Sequence, residues 1–90
     1  MAAKEKPVSI PEAIRASLLT VAVTLQEQGK LHQALTPYLD LVALHPGSDQ
    51  AMVAAERALE IAEMLRSEGQ HHVAMMVLER LQDAYATAEE

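Results

Sequence analysis

Residues 18–41, LLTVAVTLQEQGKLHQALTPYLDL, and residues 58–81, ALEIAEMLRSEGQHHVAMMVLERL, decide the fold, because the second stretch repeats the first at a distance of 40 positions. Leu19 aligns with Leu59, Ala22 with Ala62, Leu25 with Leu65, Gly29 with Gly69, His32 with His72, Ala34 with Ala74 and Leu41 with Leu81. In a chain rich in Ala and Leu some of these pairs are coincidence. Their kinds are what matter: small residues, a turn glycine and large apolar residues recur where a packed helical hairpin needs each.

Outward from these stretches, apolar residues keep a helical period. Pro11 and Glu12 suit a first helical turn, and Ile14, Leu18, Val21, Ala22 and Leu25 form the expected core stripe of a helix over 11–28. Gly29 and Lys30 interrupt it. A second stripe, Leu31, Ala34, Leu35, Tyr38, Leu41 and Val42, runs to the stop at His45-Pro46-Gly47. Pro37 falls inside this segment, where it removes a backbone hydrogen bond and either kinks the helix or starts a shorter one. Ser48 or Asp49 caps a third helix with Ala54, Ala55, Ala58, Ile61, Ala62 and Leu65 on its core side, closed by Gly69. The fourth spans about 70–86, with Val73, Ala74, Val77, Leu78, Leu81, Ala84 and Tyr85 inward. The glycine connections are too short for anything but antiparallel hairpins. The expected fold is therefore all-α: a tail at 1–10 and one helical domain at 11–88, made of hairpins 11–46 and 48–86.

Composition agrees. Of 90 residues 50% are hydrophobic but only 2% aromatic, both tyrosines, so Leu, Val, Ile, Met and Ala must build the core. Helix formers dominate and β-branched residues never form a long run. With no cysteine, a disulfide framework, a thiolate zinc site and a cysteine nucleophile are all excluded. The net charge of −6, with seven scattered basic residues, provides no positive face for phosphates or an anionic membrane. Neither a signal peptide nor a membrane span is legible, so the expected location is cytoplasmic.

The first repeat unit resembles the tetratricopeptide repeat, through the spacing of Leu18, Val21, Ala22, Leu25, Ala34, Tyr38 and Pro46. The second is a degenerate copy, with Ala86 at the position of the closing proline, and the spacing of 40 exceeds the usual period of about 34. A plain up-down four-helix bundle carries similar stripes, Ala contacts and Gly turns, so both packings stay open at this point.

Function is expected at surfaces. In helix one, Ala16, Leu19 and Val23 form a second apolar stripe that a single hairpin mate cannot hide along with the first. The resemblance implies that the inner face of each hairpin's first helix lines a groove, here Ala16, Leu19, Val23, Gln26, Glu56, Leu59, Glu63 and Arg66. Such a groove, apolar with an acidic side, suits an amphipathic partner helix or peptide. Because Leu19, Val23, Leu59 and Glu63 occupy the face where peptide-clamping relatives carry Lys, Asn and Arg, the carboxylate-clamp activity of that family is not expected. Met75 and Met76 lie outside the fourth helix's core stripe and are candidate contacts for self-association.

Catalytic and metal chemistry is not expected. Glu68 precedes His71-His72 at a spacing familiar from di-iron bundles, but Gly69 breaks the helix between them, and adjacent histidines on a helix point about 100° apart. His32 and His45 stand near helix ends without a paired acid or nucleophile. Ser9, Ser17, Ser48 and Ser67 show no base-and-orienter arrangement in the sequence, no glycine-rich phosphate loop is present, and Glu56, Glu60 and Glu63 read as a solvated helix face. The sequence thus points to a non-enzymatic interaction module without cofactor or metal, an adaptor or accessory subunit that binds a protein partner, itself, or both; the alternatives are a self-assembling structural homo-oligomer and, behind it, a small metal-binding helical bundle.

Overall fold

The computed structural model describes residues 10–88 and contains four helices: α1 (Ile10–Glu27), α2 (Leu31–Leu44), α3 (Asp49–Ser67) and α4 (His71–Ala88). Residues 1–9 of the expected tail lie outside the described residues, and Ile10 already belongs to α1.

The two hairpin turns are built alike. Gly29 has φ +81° and Gly69 has φ +90°, a conformation that side chains with a Cβ rarely adopt. In the first turn the Gly29 N–H donates to the Gln26 carbonyl at 2.9 Å and the Lys30 N–H to the Leu25 carbonyl at 2.9 Å. In the second, Gly69 donates to Arg66 at 3.0 Å and Gln70 to Leu65 at 2.8 Å. Each is the paired closure that satisfies the last carbonyls of a helix around a left-handed glycine. The next helix then begins on the Lys30 and Gln70 carbonyls, which accept from Ala34 and Ala74. The 40-residue repeat of the sequence is thus a repeat of backbone geometry.

The connection between hairpins is different. Ser48 is extended (φ −88°, ψ 158°), and its Oγ accepts from the Ala51 N–H at 3.1 Å while its hydroxyl donates to the His45 carbonyl at 2.8 Å. One side chain caps α3 and ties it to the end of α2, with Asp49 adding a favourable charge in the first turn. α2 runs as one element through Pro37, whose ring is buried. The proline does not begin a shorter helix.

Packing is sequential. α1 packs on α2, α2 on α3 and α3 on α4; α1 also touches α3, and α2 touches α4. Among the described residues α1 and α4 do not meet. A closed up-down bundle brings its first and last helices together, so the helices form an open two-layer row, with α1 and α3 in one layer and α2 and α4 in the other.

That topology decides what is buried. The middle of the row supplies most of the core, with Tyr38, Leu41 and Val42 of α2 and Ile61 and Leu65 of α3 fully buried, together with Val77 of α4. α1 contributes one buried residue, Ala22. Here the sequence expectation needs correcting: Ile14 and Val21, assigned to the core stripe, are 49% and 52% exposed, and Leu18 and Leu25 are only partly buried. Among the described residues α1 has neighbours on one side, so one of its apolar stripes stays uncovered.

Candidate interaction surface

The residues expected to line a groove separate into two groups. On α1, Leu19 and Val23 are partly buried and pack against the core. Gln26 Oε1 accepts a hydrogen bond of 2.6 Å from the Tyr38 hydroxyl, and Ala16 is exposed. Of these, Gln26 is tied to its own hairpin and Leu19 and Val23 to the shared core. On α3, Glu56 and Glu63 are exposed and Leu59 is 45% exposed. Glu63 Oε1 lies 2.6 Å from Arg66 Nη2 at the surface, and its hydrogen bond and charge raise the Arg66 pKa further.

Glu56 and Leu59 belong to a groove between α3 and α4. Ala55 completes the α3 wall, Leu78, Leu81, Gln82 and Tyr85 form the α4 wall, and the hollow between them, wide open to solvent, measures about 360 Å³. Glu56 is the sole formal charge among these lining residues. The helix period makes this site: residues 55, 56 and 59 share one side of α3, and 78, 81, 82 and 85 share the facing side of α4. Leu78, Leu81 and Tyr85 had been expected in the core. They do pack against it, and their outer edges also form a wall.

The opposite end of the row has an apolar face of its own. Ile10, Ala13, Ile14, Ser17, Leu18 and Val21 lie together along α1 without a charged residue among them. Helical periodicity had placed three of these inside. The missed signal lies in the repeat itself: 40 positions on from Ile14 and Leu18 stand Ala54 and Ala58, so the larger residues occupy the copy that has no helix before it among the described residues.

Met75 and Met76 are 56% and 41% exposed on α4. Met76 lines a crevice shared with α2 residues Leu35, Leu39 and Asp40, while Met75 groups with His72 and Glu79 on α4 alone. They do not form the α3/α4 groove.

No polar or charged residue is buried among the described residues, and no buried side-chain nitrogen or oxygen lacks a partner there. Nor do the described residues include a group of three or more His, Asp or Glu side chains placed to hold a metal ion. Glu68, His71 and His72 are all exposed. Burial pushes the Tyr38 phenol above its ordinary pKa, with Arg57 opposing and Glu60 and Glu27 adding to the rise. No helix of the described residues is long and apolar enough to cross a membrane.

Fold and surface together define an all-α protein of two stacked hairpins, whose described residues leave both ends of the row open. No protein-family model, curated protein or solved structure matches the chain.

Proposed function

We propose that the protein is a non-catalytic interaction module, a small cytoplasmic adaptor or accessory subunit of tetratricopeptide-repeat-like build, which takes an apolar helix of a partner protein into the groove between α3 and α4. The observation that carries this is the groove itself, where Leu59, Leu78, Leu81 and Tyr85 present apolar surface with one carboxylate, Glu56, at its side. Exposed contiguous apolar surface on a small domain is characteristic of a contact site. A helix with apolar residues at i, i+3 or i+4 and i+7 matches a furrow between two parallel ridges, and a basic residue beside that stripe would meet Glu56.

The repeat-like build is supported by two identical turns 40 residues apart and by the sequential, two-layer packing of the helices. The acidic balance disfavours nucleic acid and anionic membranes as partners.

Selection of random helical peptides on the folded protein tests the proposal. Enriched sequences should carry an apolar i, i+4, i+7 stripe and lose most of their affinity for the Leu59→Asp variant. Failure to enrich any such stripe, or equal binding to Leu59→Asp, contradicts it.

A further inference from the structure

We infer that the helix filling the α3/α4 groove is α1 of a second copy, so that copies stack head to tail and continue the row of hairpins. The inference rests on the groove being a helix-binding site and names its occupant.

The template for this contact lies inside each chain. α3 sits on the first hairpin, packed against α2 and touching α1, and Arg15 Nε donates to Gln50 Oε1 at 3.3 Å across that junction. The seat under α3 includes Tyr38 and Leu41, both fully buried, with Leu19 partly buried beside them. Forty positions on, Arg15, Leu19, Tyr38 and Leu41 become Ala55, Leu59, Leu78 and Leu81, which all line the open groove. The second hairpin therefore repeats most of the seat of the first, with no helix over it among the described residues, while Glu56 and Gln82 stand where the first has Ala16 and Val42.

The complementary half is repeated as well. α3 enters its seat with Ala54, Ala58 and Ile61, none of which keeps any accessible surface. Their counterparts 40 positions earlier are Ile14, Leu18 and Val21, the uncovered face of α1. Both sides of the internal junction thus recur at the two ends of the protein, one as a seat and one as a helix face.

Side-chain sizes change in a compensating way. The α1 face is larger than its counterpart at two positions, with Ile14 and Leu18 in place of Ala54 and Ala58, and smaller at one, with Val21 in place of Ile61. The vacant seat is smaller at two positions, with Leu78 in place of Tyr38 and Ala55 in place of Arg15. The polar pair Arg15–Gln50 of the internal junction becomes Ala55 facing Ile10, an apolar pair that fits a contact between copies. Tyr85 in place of His45 adds apolar area at the end of the groove. A heterologous contact of this kind leaves a free seat and a free α1 face on every assembly, and so extends unless rotation closes it into a ring.

Two variants with intact cores test this by complementation. Ile14→Asp with Val21→Asp disables the α1 face and keeps the seat; Leu59→Asp disables the seat and keeps the α1 face. All three positions are more than two-fifths exposed, and circular dichroism verifies that each variant is folded; Ile10→Asp serves as a second α1 variant. In sedimentation velocity the wild-type mass should grow with concentration past that of a dimer or to that of a ring. Each variant alone should remain a monomer, and their equimolar mixture should form a species of two chains. Self-association by Leu59→Asp alone would show α1 faces pairing with one another and overturn the inference, as would a mixture that stays monomeric or a wild type that is monomeric throughout. If copies fail to associate while selected peptides still bind the groove, the groove reading stands and its occupant is not a second copy; if neither binds, both fall.

Discussion

Ala22 and Ala34 keep no accessible surface where α1 packs on α2, and their counterparts Ala62 and Ala74 are almost as fully covered where α3 packs on α4. Small side chains there let paired helices approach, and neighbouring Leu and Tyr side chains close the remaining space. Ala22→Leu or Ala34→Leu should therefore destabilise the protein by about 1–3 kcal/mol through overpacking, read as a lower urea midpoint with an unchanged slope. Tyr38 is the other sensitive residue, buried on every side with its hydroxyl donating to Gln26. Its phenol is held above the ordinary value of about 10 by burial, so above that pH the unfolded chain gives up the proton more readily than the folded one. The Tyr38 contribution is complete below pH of about 10 and is lost as pH rises through the folded-state pKa. Tyr38→Phe should cost about 1 kcal/mol at neutral pH, for the lost hydrogen bond, and should show a weaker fall in melting temperature than the wild type above pH of about 10.

Element boundaries were legible in the sequence because each is set by local chemistry. Gly29 and Gly69 stop helices through their positive φ, and Ser48 starts one through a side-chain bond. Ser48→Ala should lower stability by about 1 kcal/mol, and amide exchange should accelerate first at the start of α3. Gly29→Ala and Gly69→Ala should cost similar amounts, about 1–2 kcal/mol each, since an added Cβ meets no atom within 4 Å at either position and only backbone strain is at stake. Unequal costs in denaturant titrations would contradict the structural equivalence of the two turns. The neighbours each helix finds were much less legible. Periodicity groups Ile14, Val21 and Leu25 on one side of α1 but is blind to whether another helix lies there, and Ile14 and Val21 prove exposed. The candidate site was read only in part for the same reason: Glu56 and Leu59 were identified from one helix face, while the opposing wall, Leu78, Leu81 and Tyr85, required knowing that α4 stands beside α3 with nothing over the gap. Pro37 was ambiguous because its effect depends on how the surrounding helix packs, and α2 continues through it as one element.

At the scale of the whole molecule, the order of contacts matters more than the number of helices. Four helices in a closed bundle would hide the α1 face against α4, and the protein would end at its own surface. In an open row the same helices leave two unlike ends, an apolar helix at one and an apolar seat at the other. The most direct test is a methyl NOE experiment on an equimolar mixture of two differently labelled preparations, filtered to separate contacts within a chain from contacts between chains. Contacts from Ile14, Leu18 and Val21 of α1 to Leu78 and Leu81 of α4 should appear between copies and be missing within a copy. The same contacts within one copy would mean a closed bundle and contradict the account.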